Sequence, residues 1–331
     1  MEHIHLQILV EAQTPIAHHE GHEANHSYFM RRKIRMPDGT FQKVPIVTAD
    51  SMRNLLRRML AEFGLECAGL LGNGKSPQLT EGALRLLFAG GMLTGKGDAS
   101  VIKIARWREL IDLIPSLSIF GGCVDAMIIP GKLSVCDMVL LCEETKHLAP
   151  PFVLEHINGN PPSWRAQLEE SHRVRMDPVK NPNNHHLLSD DAKKRVDDKV
   201  IEKERAHEEN DIITEQANKS SMMPRTYETV AQGSLWMWEI SGTLDNEIDQ
   251  ASLYTALMLL SSARAHIGGK KGVGFGRIKP ILCQEIALPT IQEKLQIMQL
   301  QEIGISYGKK FEQHIKQRAE KINKILGEVD A

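Results

Sequence analysis

The order of the segments with periodic hydrophobicity is the strongest indication of the fold of this chain. Alternating apolar residues over His3–Glu11 predict a strand, and a helix pattern follows from about Asp50 to Phe63. The later patterns are a strand over Leu133–Glu143, a strand over Ser234–Gly242, a helix over Ile248–His266 and a strand over Val273–Leu282. Without the insertions, the order is strand, helix, strand, strand, helix, strand, which is the ferredoxin-like split unit. We therefore expect an α+β fold of a kind that underlies many RNA-binding modules.

The remaining segments give weaker local predictions. Pro37-Asp38-Gly39 predicts a turn that joins Tyr28–Arg35 to Phe41–Val47 as a hairpin. Thr48, Asp50 or Ser51 should cap the first helix, which would point Arg53, Arg57 and Arg58 outward. Two further helices are predicted near Glu81–Phe88 and over Ser100–Ile114, and a helical tail over Ile291–Leu326 should be interrupted near Gly304 and Gly308. A strand is predicted over Cys123–Ile129, after a turn at Phe120–Gly122. We expect a polar loop over Ile16–Ser27 and a solvated helix or partial disorder over Asp190–Glu215.

Charge is segregated along the chain, so the formal net charge of −2 is a poor guide to its partners. Tyr28–Leu60 holds eight Lys or Arg against two Asp, and Arg264–Lys279 holds five basic residues and no acid. Ser189–Glu215 has the opposite balance, ten acids against six bases. Because local fields decide where a polyanion docks, the two basic stretches are the candidates for binding one.

The stretch Gly268–Lys279, GGKKGVGFGRIK, has five glycines and four basic residues in twelve positions. Glycine lets the backbone approach a ligand closely and the basic side chains supply charge, a combination suited to phosphate. The candidate contacts are Gly269, Lys270, Lys271, Gly272, Gly274 and Arg277. Rossmann and P-loop sites place such a loop after a strand and before a helix, whereas here the order is reversed. A tight turn with a solvated lysine pair is the alternative.

Cysteine usage and hydropathy indicate a cytoplasmic protein. The five cysteines are scattered, odd in number and never spaced as CxxC, so we expect reduced thiols that are mostly buried. The N-terminal residues do not resemble a signal peptide, and no window approaches about 18 consecutive apolar residues. We expect no membrane span, no cofactor and no bound metal.

His22–His26 fits the HExxH pattern, with His18 and His19 as additional donors. That chemistry needs both histidines on one turn of a packed helix and a third ligand downstream. Gly21 interrupts a helix here, and no apolar stripe surrounds the motif. A polar surface loop is therefore favoured over a zinc site.

Gly69–Ser76, GLLGNGKS, fits the Walker A pattern, and Val139–Glu144 could serve as a Walker B strand. A P-loop follows a buried strand and opens into a helix. Only Leu65–Leu71 could be that strand, and Pro77 follows the motif. A P-loop NTPase using Gly69–Ser76 stays an alternative to a flexible basic loop.

Four segments, in this order, resemble parts of a known family. They are VPIVTADSMRNLLRRML with its preceding hairpin, SIFGG, RTYETVAQGSLWMWEI and IGGKKGVGFGRI. The first resembles a strand and helix with the pattern I-P-[small]-[small]-S-[hydrophobic]-R-x-x-[hydrophobic]-R, and the others resemble a central turn, a strand that re-enters the palm and a Gly-rich loop. Together they resemble the RAMP superfamily of CRISPR effector proteins, in particular the repeated backbone subunit that coats the guide RNA. The match spans most of Leu6–Leu282.

The resemblance implies a ferredoxin-like, RRM-like palm with an inserted helical finger domain and a thumb hairpin. The palm would comprise residues 1–65, 115–145 and 234–285, and the finger residues 66–114. Residues 146–233 would form the thumb and a charged insertion, and residues 286–331 a C-terminal helical tail.

The resemblance also implies a non-catalytic subunit that polymerises head-to-tail along guide RNA (crRNA). It would work with other CRISPR effector subunits and present the guide for pairing with target DNA or RNA. Residues implied to contact the RNA backbone are Ser51, Arg53 and Arg57 on the first helix and Lys270 and Lys271 in the Gly-rich loop. The basic segment with Arg31, Arg32, Lys33 and Arg35 lies on the same edge. Met222, Met223 and Arg225 of the thumb would wedge beside a displaced base.

Some members of this superfamily cut target RNA with an aspartate in the loop after the first strand. The first fifty residues contain only Asp38, in a turn, and Asp50, at a helix cap. The resemblance therefore implies no cleavage, and the long charged insertion favours the type IV branch. A guide-dependent endoribonuclease using His18, His22 or Glu20, and a cytosolic α/β protein with a solvated basic surface, are the alternatives.

Overall fold

The computed structural model describes residues 2–23, 25–72, 74, 79–91, 104–124, 127–157, 159–176, 189, 191, 193–195, 222–286 and 292–328. They form a mixed α+β fold with antiparallel pairing in its largest sheet. The chain divides into two compact units. The first comprises residues 1–20, 29–169 and 229–331, and the second comprises residues 21–28 and 170–228.

The strands are β1 (Glu2–Ala12), β2 (His19–Glu23), β3 (His26–Phe29), β4 (Arg31–Arg35), β5 (Phe41–Val47), β6 (Gly122–Val124), β7 (Met127–Ile129), β8 (Leu133–Val135), β9 (Met138–Leu140), β10 (Leu168–Met176), β11 (Met222–Val230), β12 (Leu235–Leu244), β13 (Ile278–Ile286) and β14 (Gln292–Gln296). The helices are α1 (Ala49–Cys67), α2 (Glu81–Ala89), α3 (Ile104–Leu113), α4 (Pro115–Phe120), α5 (Pro151–His156), α6 (Trp164–Gln167), α7 (Glu247–Leu259) and α8 (Ile297–Glu328). Lys146–Leu148 and Lys271–Val273 form 3₁₀ turns.

The main sheet has the strand order β14-β13-β1-β12-β9-β5-β4, and β8 also pairs with β12. Within it, β1 is antiparallel to both of its neighbours, β12 and β13. The predicted strand over Leu133–Glu143 is present as β8 and β9, which both pair antiparallel with β12. Between them, Cys136 keeps its backbone N–H bonded to the Glu239 carbonyl at 3.0 Å.

The core lies between this sheet and the helices. Residues of one alternating face of β1, Ile4, Leu6, Ile8 and Val10, are buried in it because successive side chains of a strand point to opposite faces. Strand β12 contributes Trp236, Trp238 and Ile240. On the other face, Leu9 packs with Leu141, Phe152 and Val153 in a small second cluster under α5.

Several sequence predictions are confirmed. Strands β1 and β12, helices α1 and α2, and the β4–β5 hairpin with its turn at residues 37–39 all lie where the patterns indicated. Helix α3 occupies the described part of the predicted Ser100–Ile114 segment. All five cysteines are free thiols.

Other predictions are wrong at the ends of elements. Helix α7 stops at Leu259 instead of continuing to His266, because the N–H groups of Leu260, Ser261 and Ser262 bond three residues back and tighten the last turn. Strand β13 begins at Ile278 instead of Val273, since Val273 ends the 3₁₀ turn and the next two glycines, Gly274 and Gly276, have positive φ, which is not strand geometry. Helix α8 runs unbroken through Gly304 and Gly308, so the predicted interruption is absent.

Two predictions of element type are also wrong. The predicted loop over Ile16–Ser27 contains β2 and β3, which belong to a four-stranded sheet of order β10-β11-β3-β2. The predicted strand over Cys123–Ile129 is a short hairpin of β6 and β7 that pair with each other.

The second unit holds most of the four-stranded sheet. Strands β3 and β11 pair in parallel, with Thr226 opposite His26. The His26 and Tyr28 rings stack with their centroids 4.4 Å apart. The predicted solvated helix or disorder over Asp190–Glu215 falls almost entirely outside the described residues.

Candidate nucleic-acid interface

The Gly-rich loop is held in place by its own backbone. Gly269 donates its N–H to the Ala17 carbonyl at 2.7 Å, and Gly276 donates to the Pro15 carbonyl at 2.9 Å. Arg277 donates its N–H to the Thr14 hydroxyl at 2.9 Å. These bonds attach both ends of the loop to the segment after β1, so several of its amides already have partners inside the protein. Cationic side chains are therefore the more important groups for binding an anion there.

The glycines of this loop fall into two groups. A Cβ at Gly268 would lie 2.2 Å from the Ala17 carbonyl oxygen, and one at Gly276 would lie 1.9 Å from that of Ile267. Both glycines are thus required for packing within the protein. A Cβ at Gly272 or Gly274 would meet no atom within 4 Å. The outer part of the loop therefore leaves its backbone open to an external molecule.

Lys270 is the single non-glycine residue with positive φ, 61°, among the described residues. This left-handed conformation is unfavourable for a lysine. Val273 donates its N–H to the Lys270 carbonyl at 3.0 Å and Gly274 donates to that of Lys271 at 2.9 Å, which fixes the turn. Lys270 and Lys271 are both exposed in this turn.

The loop lies beside the second half of α1. Burial lowers the pKa of Lys271, the positive charge of Arg58 lowers it further, and Glu62 acts in the opposite direction. Arg264 forms an ion pair with Glu66 at 2.5 Å. The structure therefore brings Lys271 near Arg58, an arginine that is exposed on α1.

The side chains of Arg53 and Arg57 point toward the turn that follows α4. Arg57 donates from Nη2 to the Phe120 carbonyl at 2.9 Å, and Arg53 donates to the same oxygen. Arg57 is only 7% exposed, and burial, followed by the charge of Arg53, lowers its pKa to about 10. The prediction that Arg57 points outward is wrong, because the SIFGG turn packs over it. Arg53 is partly exposed.

The N-terminus of α1 is capped differently from the prediction. The side chain of the N-cap residue Thr48 accepts no backbone N–H of the helix. Instead, the Asp137 carboxylate accepts the N–H of Ala49 at 2.8 Å and forms a 2.8 Å ion pair with Arg32. Ser51 accepts a hydrogen bond from the Thr48 hydroxyl at 3.0 Å.

His18 completes this capping arrangement. Its Nε2 accepts the backbone N–H of Thr48 at 3.3 Å. Burial, and then the neighbouring His19, lower the pKa of His18, while Asp137 acts to raise it. A neutral imidazole that already accepts a backbone N–H is a structural group here, which weakens its candidacy as a catalytic base.

The basic strand β4 lies at one edge of the main sheet. The Arg31 guanidinium lies over the Trp164 ring at 4.9 Å, and Arg32 pairs with Asp137. Lys33 and Arg35 are exposed, and no carboxylate among the described residues forms an ion pair with either. Four residues of this strand were predicted to contact RNA, and among them Lys33 and Arg35 have the side-chain charges most available to a ligand.

The predicted thumb wedge lies at the start of β11, in the second unit. Arg225 is exposed. Met222 and Met223 belong to the strand, and their side chains lie outside the described set.

The two enzyme motifs lack the structure that their chemistry needs. Helix α1 continues to Cys67, so a helix and not a strand leads into the Walker-like segment Gly69–Ser76. The HExxH histidines lie in β2 and β3 instead of on one helical turn. Within the described residues, no group of three His, Cys, Asp or Glu side chains could hold a metal ion. None of the described helices combines the length and apolar character needed to span a bilayer.

Sequence reasoning missed Asp137 and Arg58. Arg58 differs from Arg57 by one position, and the apolar spacing of α1 indicated an outward direction for both. Asp137 lies far along the chain from the helix that it caps. Only the pairing of β9 with β5 brings it there.

Among the comparisons with known proteins, the comparison of structures finds a similar fold. No protein-family model matches the sequence, and no curated protein matches it. The fold is similar to that of a chain in a solved structure described as a Type IV-B CRISPR Complex, with a TM-score of 0.52 and 17% sequence identity. The similarity covers 87% of this chain and 92% of that chain. At this identity, the likeness shows a shared fold alone.

Proposed function

We propose that this chain is a non-catalytic subunit of a CRISPR effector complex that binds guide RNA (crRNA). Copies would assemble head-to-tail along the RNA, together with other effector subunits, and present the guide for pairing with target DNA or RNA. The observation that carries the proposal is the similarity in fold to a chain of a Type IV-B CRISPR Complex over 87% of this chain. The family resemblance in sequence points to the same class.

The strand order supports a ferredoxin-like palm within this proposal. Strands β13, β1, β12 and β9 are neighbours in that order and pair antiparallel. Counted along the palm, they are its fourth, first, third and second strands, and α1 and α7 provide the two helices. That is the arrangement of the split βαβ unit used by many RNA-binding modules.

The charge distribution supports phosphate binding on the loop. Lys270 and Lys271 are exposed, and the backbone at Gly272 and Gly274 faces open space. The charge of Arg58 reaches Lys271 and lowers its pKa, and Glu62, 3.8 Å from Arg58, offsets part of this repulsion. Clustered cations cost free energy when no anion is bound, and phosphates offset that cost. Contacts of this kind hold an RNA backbone without reading its sequence.

Within this proposal, residues 66–114, which contain α2 and α3, form the finger, and the segment with β10 and β11 forms the thumb. Met222, Met223 and Arg225 wedge beside a displaced base. The subunit does not cleave RNA. Divalent-metal-dependent cutting of a complementary RNA by the purified chain would contradict that last part.

The experiment compares two double variants in RNA binding over a range of salt concentrations. Lys270→Ala with Lys271→Ala should weaken binding to all sequences and flatten the slope of log K against log salt by about 1.4, since each lost phosphate contact changes it by about 0.7. The matched control, Lys309→Ala with Lys321→Ala, removes two exposed lysines of α8 and should leave both quantities unchanged. Unchanged affinity and slope in the loop variant would remove the loop from the interface.

A further inference from the structure

A groove opens on the face of the main sheet that lies away from the large helices. It has a volume of about 260 Å³ and is lined by residues of β1, β9, β12 and the segment around α5. Its apolar walls include Val139, Leu148, Pro150, Phe152 and Met237. A cavity of about 150 Å³ already holds benzene, so a phenyl ring fits here.

The polar rim of the groove is acidic. Glu239 accepts a hydrogen bond from the Gln7 amide at 2.7 Å, and its other oxygen lies 3.8 Å from His5. The negative charge of Asp137 is offset by Arg32. The Gln7 amide is neutral, so it does not offset the negative charge of Glu239. Burial, and then the carboxylates of Glu239 and Asp137, raise the pKa of the Cys136 thiol, so this group stays neutral. The groove therefore disfavours phosphate and suits an apolar anchor flanked by cations.

A segment with those properties is the β4–β5 hairpin, which borders the groove through the ion pair of Arg32 with Asp137. Phe41, at the start of β5, is 66% exposed. Across the β4–β5 hairpin it faces Arg35, and Lys33 faces Lys43. Among the described residues, no carboxylate forms an ion pair with these three cations. Phe41 does not line the groove of its own chain.

We propose that the groove receives Phe41 from the β4–β5 hairpin of a second copy of this chain. The phenyl ring would fill the apolar pocket, and the hairpin cations would face Glu239. The hairpin and the groove are different patches, but they adjoin on each chain, because Arg32 of β4 pairs with Asp137 on the groove rim. The proposed contact therefore permits either a reciprocal pair of copies or a head-to-tail row of them. This inference rests on the proposed function, in which copies associate, and it assigns a surface to that association.

The test is sedimentation velocity of the full chain, freed of nucleic acid by nuclease and high salt, over a range of concentrations. The wild-type chain should self-associate. Phe41→Ala, which removes the anchor, and Leu148→Arg, which obstructs the groove and repels the hairpin, should each weaken association at least about tenfold, as expected for a buried aromatic anchor. Ile128→Ala is the control, since Ile128 is 67% exposed on another hairpin, and it should behave as wild type.

Mixing the two variants separates loss of the contact from misfolding. Phe41→Ala keeps an intact groove, and Leu148→Arg keeps an intact hairpin. An equimolar mixture should therefore form dimers and nothing larger. A wild-type chain that stays monomeric, an unchanged Phe41→Ala variant, or a mixture without dimers would overturn the proposal. The sedimentation experiment contains no RNA, so its outcome does not depend on whether the loop lysines bind RNA. Conversely, a chain that does not self-associate could still bind RNA as a single copy, so the two proposals fail independently.

Discussion

At the residue scale, neighbouring positions that look alike in sequence have opposite roles. Gly276 and Gly272 belong to one glycine-rich loop, yet a Cβ at the first would meet the Ile267 carbonyl and a Cβ at the second would meet nothing. Arg57 is buried on a carbonyl oxygen, whereas Arg58 is exposed near Lys271. The loop therefore combines residues that shape the fold with residues available to a ligand.

Alanine substitutions at Gly276 and Gly272 should distinguish the glycine required for packing from the glycine that faces open space. Gly276→Ala should lower the free energy of unfolding by at least about 2 kcal/mol, because its φ of 82° and its closest backbone neighbour both exclude a side chain. Gly272→Ala should change it by less than about 0.5 kcal/mol. Chemical denaturation of both variants measures the difference. Equal effects would show that the loop does not have the packing described.

His18 should make stability depend on pH. Its pKa in the folded protein is lowered, by burial first, so the unfolded chain takes up more protons below the ordinary value of about 6.5. Stability is therefore full above that value and should fall as the pH decreases through it toward the folded-state pKa. His18→Gln should reduce this dependence between pH 7.5 and 5.5 in denaturation experiments, and His156→Gln, at an exposed position, should not. A His18→Gln variant with the wild-type pH profile would contradict the capping role.

The sequence identified the charge of the Gly-rich loop but not the orientation of the arginines. Lys270 and Lys271 were recognisable because four basic residues and five glycines share a short stretch. Arg57 could not be distinguished from Arg58, since the residue that buries it, Phe120, comes from a distant turn. The cap supplied by Asp137 was hidden for the same reason. Contacts made across long sequence separations leave no local pattern.

At the element scale, the C-terminal helix shows how a glycine can allow packing instead of ending a helix. A Cβ at Gly304 would lie 2.8 Å from the Met258 Cβ and 3.2 Å from the Tyr254 carbonyl oxygen. At Gly308 the nearest atom would be the flexible end of Met258, at 3.6 Å. Gly304 therefore lets α8 approach α7 closely, and Tyr254 and Tyr307 stack across the contact with ring centroids 5.1 Å apart.

Alanine substitutions in α8 test this reading. Gly304→Ala should destabilise the protein by about 1–3 kcal/mol, because the added methyl group overpacks the helix contact. Gly308→Ala should be neutral or stabilise it by up to about 1 kcal/mol, since alanine favours a helix and finds room. Thermal or chemical unfolding gives both values. The reverse order would contradict the close contact between α8 and α7 at Gly304.

Elements with a strong internal period could be predicted, and those defined by a distant partner could not. Strands β1 and β12 alternate between buried and exposed residues over their lengths, which is visible in sequence. Strands β2 and β3 are polar and short, and they exist because β11 pairs with β3. Helix α7 ends early through a tightening of its last turn, although Ala265 and Ile267 continue the apolar spacing.

At the scale of the whole molecule, the strand order joins the sequence and structural arguments. Segments separated by long insertions come together as β13, β1, β12 and β9 in one antiparallel sheet. The shared fold with a chain of a Type IV-B CRISPR Complex covers 87% of this chain. The basic loop and the groove share no lining residue, so the proposed RNA binding by the loop and the proposed self-association would use different residues.

Native mass spectrometry of the chain purified with guide RNA shows whether several copies bind along one RNA molecule. We expect species with one RNA and several copies of the chain, separated by increments of one subunit mass, and their loss in the Lys270→Ala, Lys271→Ala variant. A chain that remains a monomer and carries no RNA at physiological salt would contradict this expectation.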